Sequence, residues 1–152
     1  MLKKTFTFLL ILLPWFLSSL LPIDYNYYKT IKLPFFAPNN MFYIIAWTIT
    51  YISISISIYQ ILKENGLKKI NKSYKITLLI NYLANQSFQL VFFIIKNNFL
   101  GFISCITTFL STLFLTEETN NIRKKSTKFL YPYILLSLFA TILSLSIYLL
   151  NL

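Results

Sequence analysis

Histidine occurs nowhere in the 152 residues, and with it go the commonest general base, the commonest metal ligand and the usual proximal ligand of haem iron. Cysteine occurs once, as Cys105 inside an apolar tract. No intramolecular disulfide can form, and the thiol reads as a small packing group rather than a reactive centre. Acidic residues number four against fourteen basic ones. The sequence has no Walker loop, no metal-binding cluster and no evident activated nucleophile. Its apolar tracts contain no carboxylate and no base, which weighs against ion pumps, proton-coupled transporters and voltage sensors, because these need ionisable groups at membrane depth. The two internally related halves that mark many transporters are also missing.

What is present is apolar sequence. Lys4 to Asp24, Lys32 to Lys63, Lys75 to Lys96, Lys96 to Glu117 and Lys128 to the C-terminus each enclose a stretch without Asp, Glu, Lys or Arg. A soluble domain does not hold its charge to 12% of residues and confine it to short clusters between such tracts. With about 20 residues needed per crossing, the chain is expected to be all-α, a single domain over residues 1–152 and an integral membrane bundle of five transmembrane helices.

The net charge of +10 is placed as caps between the spans, not as a stripe on a soluble face, so nucleic acid is not the expected partner. If the connections alternate sides, one side holds Lys3, Lys4, Lys63, Lys68, Lys69, Lys72, Lys75, Arg123, Lys124, Lys125 and Lys128, and the other only Lys29, Lys32 and Lys96. Positive charge stays inside, which puts the N-terminus in the cytoplasm and the C-terminus outside, with the plasma membrane the expected location. Membrane lipids are the first partners, anionic headgroups among them. Lys3 and Lys4 before an apolar run also resemble a signal peptide, but no small-x-small site follows, so an uncleaved first helix is expected.

The first helix is expected from Thr5 to Leu21, with Pro14 as a kink that neighbouring helices can satisfy. Asp24 to Asn40 forms an aromatic, proline-stiffened outer connection. Helix two, Met41 to Leu62, alternates Ser and Ile from Ser53 to Ile58, as a strand would. A lone strand would leave backbone groups unpaired in hydrocarbon, so the segment is helical. There Ala46, Thr50, Ser53 and Ser57 make a small-residue stripe, with Trp47 and Tyr51 an aromatic edge beside it. Helix three, Tyr74 to Ile95, carries Asn81, Asn85 and Gln89 every four residues, Gln86 adjacent, and Phe88 and Phe92 flanking. Unpaired amides cannot face lipid. The stripe is therefore either glue between helices or an edge that contacts a ligand. Helix four, Phe99 to Thr116, is a Ser/Thr packing surface. Helix five runs from Lys128 to near Asn151, with Pro132 in its opening turns. Pattern and composition thus suit an aromatic and amide-lined interior for a flat apolar ligand.

These motifs resemble the translocator protein, or tryptophan-rich sensory protein, family (TspO/MBR). Tyr27-Tyr28 followed by Leu33-Pro34 is similar to the family's Trp-Tyr then Lys-Pro, and Phe36-Ala37-Pro38-Asn39 stands at its paired-proline segment. Trp47-Thr48-Ile49-Thr50-Tyr51 resembles its W-x-x-L-Y. Asn81, Asn85, Phe88 and Phe92-Phe93 fall at the spacing of its Q-x-x-x-N-x-x-W-x-x-x-F-F. Tyr131-Pro132-Tyr133, continued by Phe139-Ala140-Thr141, sits where the family opens its fifth helix. The similarity covers most of residues 22 to 148.

The resemblance implies a five-helix bundle, commonly a homodimer. It implies no required cofactor, with porphyrin (protoporphyrin IX or haem) or a sterol-like small molecule as ligand. The implied pocket is closed by Tyr28 and Pro38 and walled by Trp47, Tyr51, Asn81, Asn85, Phe88, Leu136 and Ala140, with Lys29 and Lys32 the bases nearest to ligand propionates. Two further readings follow from the same likeness: photo-oxidative porphyrin breakdown, and transport of tetrapyrroles or lipids. The chain departs from the pattern in having only Trp15 and Trp47. Leu136, Phe88 and Met41 stand at usual tryptophans, Ser104 at a frequent Asp and Asn39 at the second proline. Breakdown that relies on pocket tryptophans is the activity these departures touch most directly.

Overall fold

The computed structural model describes residues 2–152, with the side chains of Leu2, Lys3 and Tyr25 outside the description, so the topological part given to Lys3 lies there too. The chain is a bundle of helices: α1 (Leu2–Leu12), α2 (Tyr25–Thr30), α3 (Asn40–Lys69), α4 (Lys72–Gln89), α5 (Asn98–Thr127) and α6 (Tyr131–Leu150), joined by short stretches of tighter or looser helix. Asx residues start four of these helices. Asp24, Asn39, Asn71 and Asn97 each accept, through the side-chain oxygen, the backbone N–H three residues on, at 2.8–3.0 Å, which satisfies a donor that the first turn leaves free.

Helix one does not run through Pro14 as a kinked α-helix. It changes at Leu13 into a 3₁₀ stretch, Leu13–Leu20, with Pro14 in its first turn. Proline has no N–H to give the α ladder and its ring crowds the preceding turn. Neighbours take up what remains: Tyr82 Oη donates to the Pro14 carbonyl at 3.1 Å. Gln86 Nε2 donates to the Trp15 carbonyl at 3.1 Å, and its Oε1 accepts the Ser18 N–H at 2.8 Å.

The other helices outrun their apolar tracts. α3 continues beyond Leu62 to Lys69, with its helical path broken at Gly66 (φ 66°, ψ 159°), a conformation open in practice only to glycine. α5 continues beyond Thr116 to Thr127, interrupted by extended backbone at Arg123. α4 loosens into a π-helical stretch, Leu90–Ile94, before Lys96 takes φ 59° and ends it. Gly101 on α5 faces that stretch: a Cβ there would stand 2.9 Å from the ring of buried Phe92.

Three helical stretches are long and apolar enough to cross a membrane, Asn40–Lys69, Lys72–Ile94 and Asn98–Leu150, and Lys4–Leu20 is a shorter apolar one. The third is not straight. α5 and α6 pack side by side, the helical path between them broken at Arg123, while the backbone around Lys128–Leu130 stays helical. The molecule is thus an all-α, multi-helix integral membrane bundle.

Polar side chains collect at its two ends. At one, Arg123 pairs with Glu64 and donates to Gln60 and Ser126, while Glu118 accepts from Asn71 and Ser73. At the other, Lys96 pairs with Asp24 at 2.9 Å, Tyr27 Oη donates to Asn98, and Asn151 bonds both backbone groups of Lys32. Between the ends lie two apolar clusters. One is built on Trp15, Tyr51, Ile54, Leu115 and Tyr133, and the other on Phe92, Leu143 and Ile147.

Candidate functional site

A cavity of about 560 Å³ has a lining that draws on both clusters. Its size falls within the ~300–1,000 Å³ of small-molecule sites. One wall is Trp47 and Tyr51 of α3, four residues apart and therefore on one helix face, with ring centroids 5.6 Å apart. The facing wall is Phe88 on α4 with Phe93 from the π-helical stretch. Inserting one residue per turn there rotates the chain, so Phe92 turns inward to stack on Phe88 at 5.2 Å while Phe93 borders the cavity. Cys105 and Thr108 of α5 and Ser137, Ala140 and Ser144 of α6 supply a third side of small residues, and Ser18 and Ser19 of the 3₁₀ stretch a fourth. No charged side chain lines the cavity among the described residues.

The floor is a hydrogen-bonded layer. Tyr133, with no exposed surface, donates from Oη to Asn81 Oδ1 at 2.9 Å. Asn81 Nδ2 reaches the Thr108 carbonyl, Ser111 and Thr112 at 2.9–3.1 Å. Tyr51 Oη donates to Asn85 Oδ1 at 3.0 Å, which also accepts from Gln86. Trp15 packs beneath, stacked on Tyr51 at 5.8 Å and edge-on to Tyr82 and Tyr133.

Above the cavity, the connection from Asp24 to Asn40 forms a lid. Tyr28 borders the cavity and leans on Phe93 at 6.2 Å, and Phe36 meets Phe139 at 6.4 Å. The lid is fixed by the Asp24–Lys96 ion pair, with Lys96 Nζ 5.8 Å above the Tyr27 ring, and by the Lys32–Asn151 bonds. The Tyr27 N–H bonded to the Asp24 carboxyl, and then the Lys96 ammonium, hold that carboxyl below its ordinary pKa of 3.8.

Of the residues expected at a pocket, Tyr28, Trp47, Tyr51, Asn85, Phe88 and Ala140 are brought together on the cavity. Three are not. Asn81 is fully buried in the floor and committed to protein atoms. Pro38 precedes the start of α3 without bordering the cavity. Leu136 faces a separate apolar groove of about 300 Å³ between α3 and α6, with Phe42, Ala46, Ile49 and Pro132. Helical register does not separate it, since Ala140, Leu143 and Ile147 on the same face of α6 border the cavity; Leu136 lies one turn before Ala140, and its side chain borders the groove instead. Lys29 and Lys32 are exposed and do not line the cavity. Sequence reading missed the α6 hydroxyls, which the i, i+3, i+7 spacing of Ser137, Ala140 and Ser144 could have revealed. It also missed Ser18, Ser19 and Phe93, whose direction depends on 3₁₀ and π-helical backbone that no periodicity announces.

The model of the TspO/MBR family matches residues 6–150. A protein named Tryptophan-rich protein TspO from Bacillus cereus is 35% identical over 134 residues, covering 88% of this chain and 86% of its own. One of the same name from Archaeoglobus fulgidus is 32% identical over 126 residues, covering 83% and 80%. The uncharacterized membrane protein YtaB of Bacillus subtilis is 32% identical over 136 residues, covering 88% and 85%.

Proposed function

Because the chain belongs to the TspO/MBR family, we propose that it is a receptor-like membrane protein whose cavity binds a porphyrin, such as protoporphyrin IX or haem, or a similar flat hydrophobic ligand. The observation that carries this reading is the cavity's pairing of opposed aromatic walls, Trp47 and Tyr51 against Phe88 and Phe93, with a fixed amide, Asn85, at its inner end. Flat π-systems stack on such walls. The absence of charge from the lining suits a macrocycle whose own charges sit at its rim. Without histidine the usual proximal ligand of haem iron is missing, and the aromatic walls offer the porphyrin faces their contact.

Binding is favoured over passage and over chemistry by the floor. Tyr51, Tyr133, Asn81, Asn85 and Trp15 form a hydrogen-bonded and ring-packed layer beneath the cavity, and Trp47 is the one tryptophan among its lining residues.

In this reading the bundle crosses the plasma membrane five times, with the N-terminus in the cytoplasm and the C-terminus outside. The 3₁₀ stretch helps the first helix to span. At roughly 2.0 Å per residue against 1.5 Å for an α-helix, Leu2–Leu20 reaches about 32 Å, matching a ~30 Å hydrocarbon core. The working unit is a homodimer surrounded by membrane lipids.

Titration of detergent-purified protein with protoporphyrin IX tests the proposal through tryptophan quenching and porphyrin absorbance. Saturable binding is expected, weakened several-fold in Trp47→Phe and Asn85→Ala by the absorbance readout. Failure to saturate, or affinity unchanged in both variants, would sink it.

A further inference from the structure

The four carboxamides of α4 differ in what they bond. Asn81 spends its oxygen on Tyr133 and its nitrogen on three acceptors. Asn85 takes Tyr51 and Gln86 on its oxygen, and Gln86 clamps the backbone of helix one. Gln89 stands apart. It lines the cavity, makes no cap to the helix that follows, and has no protein partner among the described residues. Asn40 repeats the situation at the start of α3. Its neighbour Asn39 is used as the helix cap, whereas the exposed Asn40 side chain sits at the cavity mouth without a protein partner among the described residues, and Gln89 is half-buried deeper on the lining. Both are at the lid ends of their helices, where the Asp24–Lys96 and Lys32–Asn151 contacts lie. The bases of that end are elsewhere: Lys96 is paired with Asp24, and neither Lys29 nor Lys32 borders the cavity.

We infer that Gln89 and Asn40 form a neutral receiving edge that reads the carboxyl groups of the ligand, their amide N–H groups donating to carboxyl oxygens in place of a basic residue. This rests on the porphyrin-class reading of the cavity and adds to it the chemistry by which the ligand is oriented. A carboxamide keeps its donor at any pH and loses little when the site is empty and wet. The arrangement sets the macrocycle with its acid edge toward the lid and its apolar edge toward Tyr51 and Asn85.

Protoporphyrin IX and its dimethyl ester, titrated in parallel by absorbance, separate this inference from the reading beneath it. Wild type should prefer the diacid, and Gln89→Leu and Asn40→Leu should each cut that preference about three- to tenfold, one hydrogen bond's worth, with ester affinity, whose carbonyls accept more weakly, falling less. Gln89→Glu, which sets an anion at the same point, should turn the preference toward the ester. That change of sign cannot come from a loss of folding. A diacid-to-ester ratio unaltered by all three substitutions, or equal weakening of both porphyrins, would overturn the edge while leaving porphyrin binding in place. Absence of binding by either porphyrin to wild type would overturn both.

Discussion

Asn81 and Gln89 differ in use by two helical turns. The every-fourth-residue stripe Asn81, Asn85, Gln89 was legible in the sequence, as was the choice between glue and ligand contact. Which member took which part was not, because that depends on whether Tyr133 and the α5 hydroxyls arrive opposite a given amide. Tyr133→Phe isolates the point. It keeps the ring against Trp15 and Trp47 and removes only the hydroxyl that Asn81 Oδ1 accepts. An acceptor orphaned in a buried layer costs about 1–3 kcal/mol, so Tyr133→Phe should unfold at a lower temperature than wild type in detergent. An unchanged melting temperature would mean that the floor is held by packing alone. Leu136 shows the opposite limit of residue-level reading, since likeness set it in a pocket wall and the structure places it at the separate groove between α3 and α6, although Ala140 and Leu143 of the same helix face border the cavity.

Helices were legible as elements, but their ends were not. Hydropathy reports which residues tolerate lipid, and a helix does not stop where apolar residues stop. α3 and α5 continue beyond Leu62 and Thr116 because backbone hydrogen bonds persist beyond the tract, with the path broken at Gly66 and Arg123 before the helices end at Lys69 and Thr127. The aromatic, proline-stiffened outer connection was also foreseen, while its fastenings, Asp24 to Lys96 and Lys32 to Asn151, join positions too far apart in sequence for any local pattern to pair. The first of these responds to acid. Asp24 has a lowered folded-state pKa, so its contribution is fully present above the ordinary 3.8 and is lost as pH falls through the folded value. Hydrogen exchange of the Tyr27–Phe36 amides should therefore be slower in wild type than in Asp24→Asn at neutral pH, with the gap closing in acid. A gap constant across that range would show that the ion pair does not hold the lid.

At the scale of the molecule, the charge bias of the sequence and the polar clusters of the fold describe the same two ends. Lysines assigned to one side from their count stand in connections that the structure ties together through Arg123, Glu64, Asn71 and Glu118. With Cys105→Ala as background, single cysteines at Lys29, Lys69, Asn97 and Lys125 provide the test by labelling of intact cells with a membrane-impermeant maleimide. Positions 29 and 97 should react, and 69 and 125 only after the membrane is opened. Reaction at 125 in intact cells would rule out separate crossings by α5 and α6. Among the described residues three stretches stand out by length: helix one is short, and α5 and α6 follow each other in one helical run, features that five charge-free tracts alone did not disclose.

The joint between helix one and α4 also distributes mutational risk unevenly. Gln86 and Tyr82 grip the carbonyls of Pro14 and Trp15 and the N–H of Ser18, groups that every residue but proline carries in full. At the exposed Leu13, Leu17 and Leu20 the side chains can therefore change without loosening the seam, whereas Trp15, Ser18 and Ser19 are also held by the floor and the cavity. Inheritance bears instead on two positions of α4, where a change of residue has nothing on the other side to compensate it.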